Sequence, residues 1–228
     1  MTIVLLLRHG RTTANADGVL AGDLPVELDE RGRQQAEAVG QRLAGLPLAA
    51  VVTSPLKRCR QTLELALPGV APVVEAGLTE CGYGAWVGRK LSELAKDPLW
   101  ATVQQHPAAV TFPGGESMAG MATRAVAAVR SWDARVEAEH GADAIWVASS
   151  HGDVIKAIVA DALGLHLDLF QRISVDPGSI TAIRYTPSRP FVLRLSDTGG
   201  DLQSLVPPKR PAADEVPTGD AAVGGGTG

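Results

Sequence analysis

Short apolar runs that do not alternate in polarity, each followed by an amphipathic stretch, constrain this chain more than any other feature. The first is TIVLLL, ahead of Arg8; AAVVT, PVVEAGL and AIWVASS come later. Such runs suit strands covered on both faces of a sheet. Helical patterns lie between them. ELDERGRQQAEAVGQRLAGL repeats Ala36, Val39 and Leu43 at helical spacing, with Asp29 placed to cap its start. In SPLKRCRQTLELAL, Ser54 reads as the N-cap and Pro55 as the first helical residue, with Leu56, Cys59, Leu63 and Ala66 as the buried stripe. Met118, Met121, Ala122, Ala125, Val129, Trp132 and Val136 trace one face of a long helix, and VIKAIVADALGL reads as a further one. SITAIRY and PFVLRLS, separated by TPSRP, predict a closing hairpin. Strands alternating with helices predict an α/β fold, a three-layer α/β/α sandwich with a mostly parallel central sheet.

The remaining composition narrows the class. With 228 residues, 45% of them apolar, the chain can bury a sizeable core. A net charge of −4 supplies no basic field for nucleic acid or for an anionic membrane surface. The opening apolar run is too short for a signal peptide or a membrane helix. Cys59 and Cys81 lack metal-ligand spacing and cannot staple a chain of this size, so a reducing cytoplasm is expected. From 199 to 228 the sequence turns rich in glycine and proline without an aromatic residue. A folded domain over 1–198 and a disordered tail over 199–228 are predicted. Within the domain, 88–115 reads as an irregular, lid-like insertion.

Ligands of open parallel sheets bind beyond the carboxyl ends of the strands. At those ends stand Arg8-His9-Gly10, Thr53-Ser54-Pro55 leading to Arg58, and Ser150-His151-Gly152. Two of the five histidines thus share one context, a strand, then His-Gly, then a helix. Arg8, Arg58, His9 and His151 are expected to converge. A cluster of that kind is costly to bury unless an anion accompanies it, and a phosphoryl group matches arginine forks and helix N-termini. Asp153 is a candidate helix cap or ligand-orienting group, and Cys59 is expected to be inert packing. Arg60 is expected to face solvent, and His106, His140 and His166 lie away from strand ends.

Arg8-His9-Gly10 with Thr12 and Asn15, then Ser54 to Thr62, then Leu78-Thr79-Glu80, then Ser150-His151-Gly152, resemble in their order the histidine phosphatase superfamily, also called phosphoglycerate mutase-like. The resemblance spans about residues 3 to 196. It implies a phosphoglycerate mutase-like fold and a phosphomonoesterase in which His9 is the nucleophile and Glu80 the general acid and base. Arg8, Arg58 and a protonated His151 complete the implied catalytic set, and Arg8, Asn15, Arg58, His151 and Gly152 the implied phosphate contacts. No metal and no cofactor are implied; the expected partner is a small phosphorylated substrate, with a homodimer possible.

A phosphomutase would use the same residues. Against it, the segment from Gly82 to Ser117 has only Arg89, Lys90 and Lys96 as cations before the long helix, few for a second anionic group. A non-catalytic phosphate-binding module is the alternative of another class; metal-dependent hydrolysis lacks an acidic ligand pair at suitable spacing. Trp86-Val87-Gly88 stands where the family often has Trp-Glu-Gly. The residues Tyr83, Trp86, Trp100, Phe112 and Met118 are candidates to line the lid. Phe112-Pro113-Gly114-Gly115-Glu116-Ser117 resembles a segment of the phosphatase branches, its glycines placed either to approach substrate or to turn the chain.

Overall fold

A computed structural model describes residues 2–199; apart from Gly199, the tail predicted to be disordered lies outside the described residues. In chain order the elements are β1 (Thr2–Arg8), α1 (Thr13–Ala16), α2 (Glu30–Leu43), β2 (Leu48–Thr53), α3 (Lys57–Ala66) and β3 (Val73–Val74). There follow α4 (Leu91–Leu94), α5 (Leu99–Gln105), α6 (Met118–His140), β4 (Ile145–Ser150), α7 (Gly152–Ala162), β5 (Ile180–Tyr185) and β6 (Pro190–Asp197). The strands form one sheet in the order β3-β2-β4-β1-β5-β6. The first four are mutually parallel, and β5 and β6 close one side as an antiparallel hairpin.

The sheet separates two apolar layers, as strand geometry requires when both faces are covered. On β1, Val4 and Leu6 enter the larger core with Met121, Ala125 and Val129 of α6 and Ile155 and Ile158 of α7. Leu7 faces the other way, onto Val39 and Leu43 of α2 and Leu63 and Ala66 of α3. That arrangement is the expected three-layer α/β/α sandwich. Asp29 caps α2 as read, its carboxylate accepting from the Gly32 N–H.

Several local readings are corrected. Ser54 does not cap α3, which starts at Lys57 after a Leu56 cap that makes no side-chain bond. The Ser54 hydroxyl is 2.7 Å from His151 Nε2, the shorter of its contacts, and keeps only a 3.3 Å bond from the Leu56 N–H ahead of the helix. Asp153 is not a cap either, because His151 occupies the N-cap position of α7 and Asp153 lies in the first turn. The strand read in PVVEAGL shrinks to Val73–Val74 at the sheet edge, both side chains exposed. All five lid candidates, Tyr83, Trp86, Trp100, Phe112 and Met118, belong to the larger core, and of them Tyr83 also lines the cavity beside His9. Trp86 stacks on Trp100 with ring centroids 6.0 Å apart and meets Phe112 edge-on at 5.3 Å. Apolar burial accounts for the covering of these rings.

The start of α2 presses on the segment that follows the first strand. A Cβ on Gly32 would stand 2.0 Å from the Arg11 carbonyl oxygen, and one on Gly10 2.4 Å from the Gly32 carbonyl oxygen. Both obstacles are backbone, so relief requires moving α2 away from the His9 turn. Gly32→Ala is therefore expected to cost about 2 kcal/mol or more of stability. Urea unfolding checks it, as a lowered midpoint at an unchanged slope.

Candidate active site

Three parallel strands end level with one another. Arg8 pairs in register with Ser150, and Thr53 with Ser149. The residues just past those ends are thereby brought together, and the His9 and His151 rings lie 5.3 Å apart, centroid to centroid, at 60°. Arg58 enters from the first turn of α3. Its Nε–H is shared between His9 Nε2 at 3.2 Å and His151 Nδ1 at 3.3 Å. The terminal nitrogens donate to backbone carbonyls, Nη2 to Gly22 at 2.7 Å and Nη1 to Leu24 at 3.3 Å. A guanidinium carries five N–H groups, so a second one on each terminal nitrogen is left for an anion.

These bonds fix the imidazole tautomers. His9 Nδ1 lies 2.8 Å from the Gly10 carbonyl, which can only accept, so the proton sits on Nδ1 and Nε2 keeps its lone pair. His151 Nδ1 accepts from Arg58, which leaves its Nε2–H to donate to Ser54. Burial, with Arg58 and Arg8 nearby, holds His9 well below the ordinary histidine range. Burial and Arg58, with His9 and Arg8, do the same to His151. Both shifts favour the neutral ring in the free enzyme, whereas the protonated His151 of the implied catalytic set belongs to the state with a phosphoryl group bound. The turn after β1 is held by α3, whose Thr62 accepts from the Gly10 N–H and donates to the Arg58 carbonyl.

Beside His9 lies a narrow, partly open cavity of about 30 Å³. His9, Thr12, Asn15, Arg58, Glu80 and Tyr83 line it, along with small and aliphatic residues from Gly18 to Gly22 and Leu91. Of the predicted set, His9, Asn15, Arg58 and Glu80 reach this cavity directly. Asn15 also closes a capping box on α1, its Oδ1 accepting from both Thr12 N and Thr12 Oγ1. Fully buried Arg8 and His151, and Gly152 at the first position of α7, are not part of its wall. Arg8 donates to the Val175 carbonyl at 2.6 Å. Burial lowers it to about 10, so it keeps its charge at neutral pH and acts at short range on both imidazoles.

Glu80 comes from a loop and is buried, its Oε1 accepting from the Cys81 N–H at 3.0 Å. Burial raises its carboxyl to about 7, assisted by the charge of Asp153 and opposed by Arg58 and Arg8. A proton donor at neutral pH therefore faces the same cavity as an imidazole lone pair. The neighbourhood of Glu80 is more acidic than the motifs suggested. Asp153 accepts from the Tyr83 hydroxyl at 2.8 Å and pairs with Lys156 at 3.6 Å. Burial near Asp153 and Glu80 keeps the Tyr83 hydroxyl well above its ordinary value, so it remains a donor. From sequence, Asp153 reads as a helix cap or ligand-orienting group beside His151 and Tyr83 as a lid candidate, while Lys156 carries no site signal.

Cys59 is closer to the chemistry than a packing residue need be. Its Sγ lies 3.4 Å from the Ser150 carbonyl and 3.5 Å from His151 Nε2. Burial pushes its thiol up to about 12, so it stays protonated and unreactive. Arg60 is exposed, as expected. The two glycines of the 112–117 segment differ: a Cβ on Gly115 would stand 2.1 Å from the Gly82 carbonyl oxygen, whereas Gly114 has open space around it and turns the chain at φ +68°. Among the described residues no cluster of three or more His, Cys, Asp or Glu could hold a metal ion, and no helix is long and apolar enough to cross a membrane.

The family described as the histidine phosphatase superfamily (branch 1) matches residues 4–198. The chain belongs to the histidine phosphatase superfamily. It is 32% identical over 211 residues to Probable phosphoglycerate mutase GpmB of Erwinia tasmaniensis, covering 90% of this chain and 95% of that protein. It is 30% identical over 205 residues to Phosphoserine phosphatase 1 of Hydrogenobacter thermophilus, covering 87% of this chain and 93% of that protein. Solved structures agree. Bacillus stearothermophilus YhfR superposes with a TM-score of 0.77 at 28% identity, over 86% of this chain and 98% of that one. A mycobacterial glucosyl-3-phosphoglycerate phosphatase does so with a TM-score of 0.76 at 28% identity, over 86% of this chain and 98% of that one. This histidine phosphatase is thus an enzyme whose relatives are named as phosphatases and as phosphoglycerate mutases.

Proposed function

We propose that this enzyme is a phosphomonoesterase that hydrolyses a small phosphorylated metabolite through a phosphohistidine intermediate. The observation that carries the reading is one cavity wall holding both the unprotonated Nε2 of His9 and a Glu80 carboxyl raised to about 7. In the first step His9 Nε2 forms a bond to phosphorus as the bond from phosphorus to the leaving oxygen breaks. Glu80 gives its proton to that oxygen, and the alcohol leaves. In the second step the Glu80 carboxylate takes a proton from water, which attacks phosphorus, and the P–N bond breaks to release phosphate. Arg58 and Arg8 balance the charge on the equatorial oxygens throughout, Arg58 with its free N–H groups and Arg8 from beneath. A phosphoryl dianion also opposes the cationic neighbours that depress His151. The ring then takes up a proton and joins the stabilising set.

Phosphatase chemistry is favoured over mutase chemistry by the lining of the cavity. Apart from His9, Arg58 is its one basic side chain among the described lining residues. A bisphosphorylated hydroxy acid carries a second phosphate and a carboxylate, which that wall does not match. Residues 88–115 act in this reading as a lid, reaching the cavity through Leu91. The lid is laced to the loop after α1 by backbone bonds, Leu20 N–H to Arg89, Gly88 N–H to Leu20 and Leu91 N–H to Gly18. Val87, at the position where relatives often have glutamate, stands against Gly22, whose carbonyl holds Arg58.

The test supplies 3-phosphoglycerate together with catalytic 2,3-bisphosphoglycerate. Free phosphate with little 2-phosphoglycerate is the expected outcome. Isomer appearing faster than phosphate would reassign the enzyme to the mutases, and a panel of phosphorylated metabolites would then rank the leaving groups it accepts.

A further inference from the structure

Glu80 sits on a loop with little regular structure of its own. A single 3₁₀ turn, Ala76–Leu78, precedes it and another, Gly84–Trp86, follows. Beside the Ser150 hydroxyl, which donates to the Leu78 carbonyl at 2.8 Å, one side chain of α6 holds most of the loop. Arg124 Nη1 donates to the carbonyls of Gly77 at 2.8 Å and Thr79 at 2.7 Å, and Nη2 donates to the carbonyl of Glu80 itself at 3.0 Å. The remaining N–H groups go to Glu116, Nε to Oε1 at 2.7 Å and Nη2 to Oε2 at 2.9 Å. All five N–H groups of this guanidinium are thereby used.

Glu116 continues the hold on the far side of Glu80. Its Oε2 accepts from the Gly82 N–H at 3.2 Å, and its own N–H donates to the Gly82 carbonyl at 2.6 Å. The loop also lies hard against α6, since a Cβ on Gly77 would stand 2.6 Å from that of Ala128. The helix itself is anchored by buried Met118, Met121, Ala125 and Val129. Neither Arg124 nor Glu116 lines the cavity beside His9. Backbone on both sides of the acid is thus referred to a rigid element by two residues remote from the reacting atoms.

We propose that Arg124 and Glu116 are positioning residues for Glu80, setting where its carboxyl stands relative to the leaving oxygen. The proposal rests on the reading of Glu80 as proton donor. A carboxyl has to approach within hydrogen-bond distance of the atom it protonates, and a displacement of about 1 Å can cost on the order of a hundredfold. Lysine cannot replace this arginine, because an ammonium has three donors and no planar fork to serve three carbonyls and a carboxylate at once. The clamp matters most where the leaving group needs a proton.

That dependence provides the test. For Arg124→Lys, kcat/KM on an alkyl phosphate such as glycerol 2-phosphate is expected to fall roughly tenfold to a hundredfold. On 2,4-dinitrophenyl phosphate, whose phenolate departs unprotonated, the expected change is within about threefold. The ratio of the two constants does not depend on the fraction of enzyme correctly folded, so a destabilised variant still reports. Glu116→Gln is the second variant, with a smaller shift of the ratio in the same direction. Equal losses on both substrates in both variants would overturn the positioning role. Glu80→Gln separates the layers: if it shifts the ratio and the clamp variants do not, the clamp proposal alone fails. If Glu80→Gln leaves the ratio unchanged, the proton-donor reading falls and the clamp proposal with it. Adding Arg124→Lys to Glu80→Gln is expected to move the ratio no further, and a full additional shift would count against the proposal.

Discussion

His9→Ala is expected to lose roughly four orders of magnitude or more of kcat on an aryl phosphate, with its affinity for phosphate changed far less. The asymmetry follows from the division of labour in the site. His9 contributes the atom that bonds to phosphorus, and its tautomer is set by the Gly10 carbonyl so that Nε2 is the nitrogen left unprotonated. Anion binding draws on Arg58, whose contacts to Gly22 and Leu24 do not involve His9. Removing the imidazole leaves the Arg58 Nε–H bonded to His151 Nδ1 alone, so the guanidinium stays in place. The variant should therefore still bind tungstate or phosphate, and isothermal titration measures that directly. Wild-type enzyme quenched during turnover should carry a phosphoryl group that survives alkali and is lost in acid, as a phosphoramidate is. Substantial turnover by His9→Ala, or no trapped phosphoenzyme in the wild type, would remove the covalent route.

What the sequence made legible, and what it did not, follows the range of the forces involved. His9 and His151 could be placed at one sheet edge because strand ends are marked locally by an apolar run giving way to His-Gly, and parallel register then brings such ends level. Asp29 was readable as a cap because its partner is three residues away. Ser54 carried the same kind of signal and misled, since His151 Nε2, distant in sequence, competes for its hydroxyl. Asp153 accepts from Tyr83, distant in sequence, for a comparable reason. Trp86, Trp100 and Phe112 looked alike as lid or as core, because an apolar side chain announces only that it will be covered. The Arg124 clamp left no trace in the sequence: three of its acceptors are backbone carbonyls, which every residue has. Geometry built from main-chain partners becomes visible only with coordinates.

Glu80→Gln is expected to lower kcat/KM for an alkyl phosphate by roughly 10²-fold or more and to abolish the fall in activity on the alkaline side of neutrality. The sign comes from the direction of the shift. Burial, with Asp153 adding to it, raises this carboxyl to about 7 in the free enzyme, the state that kcat/KM reports. Below that value Glu80 carries the proton the leaving oxygen needs. Above it the active fraction drops about tenfold per pH unit, since each unit leaves one tenth as much protonated acid. His9 contributes no competing limb there, because burial and its arginine neighbours hold it well below the ordinary histidine range and it is already neutral. The phosphate ester titrates as well, but identically for both enzymes, so subtracting the Glu80→Gln profile from that of the wild type isolates the carboxyl. Glutamine keeps the size and the acceptor oxygen that faces the Cys81 N–H, which limits the change to the lost proton. With 2,4-dinitrophenyl phosphate the alkaline limb should be shallow or absent in both enzymes. An alkaline fall of equal depth in wild type and Glu80→Gln would mean that some other group delivers the proton.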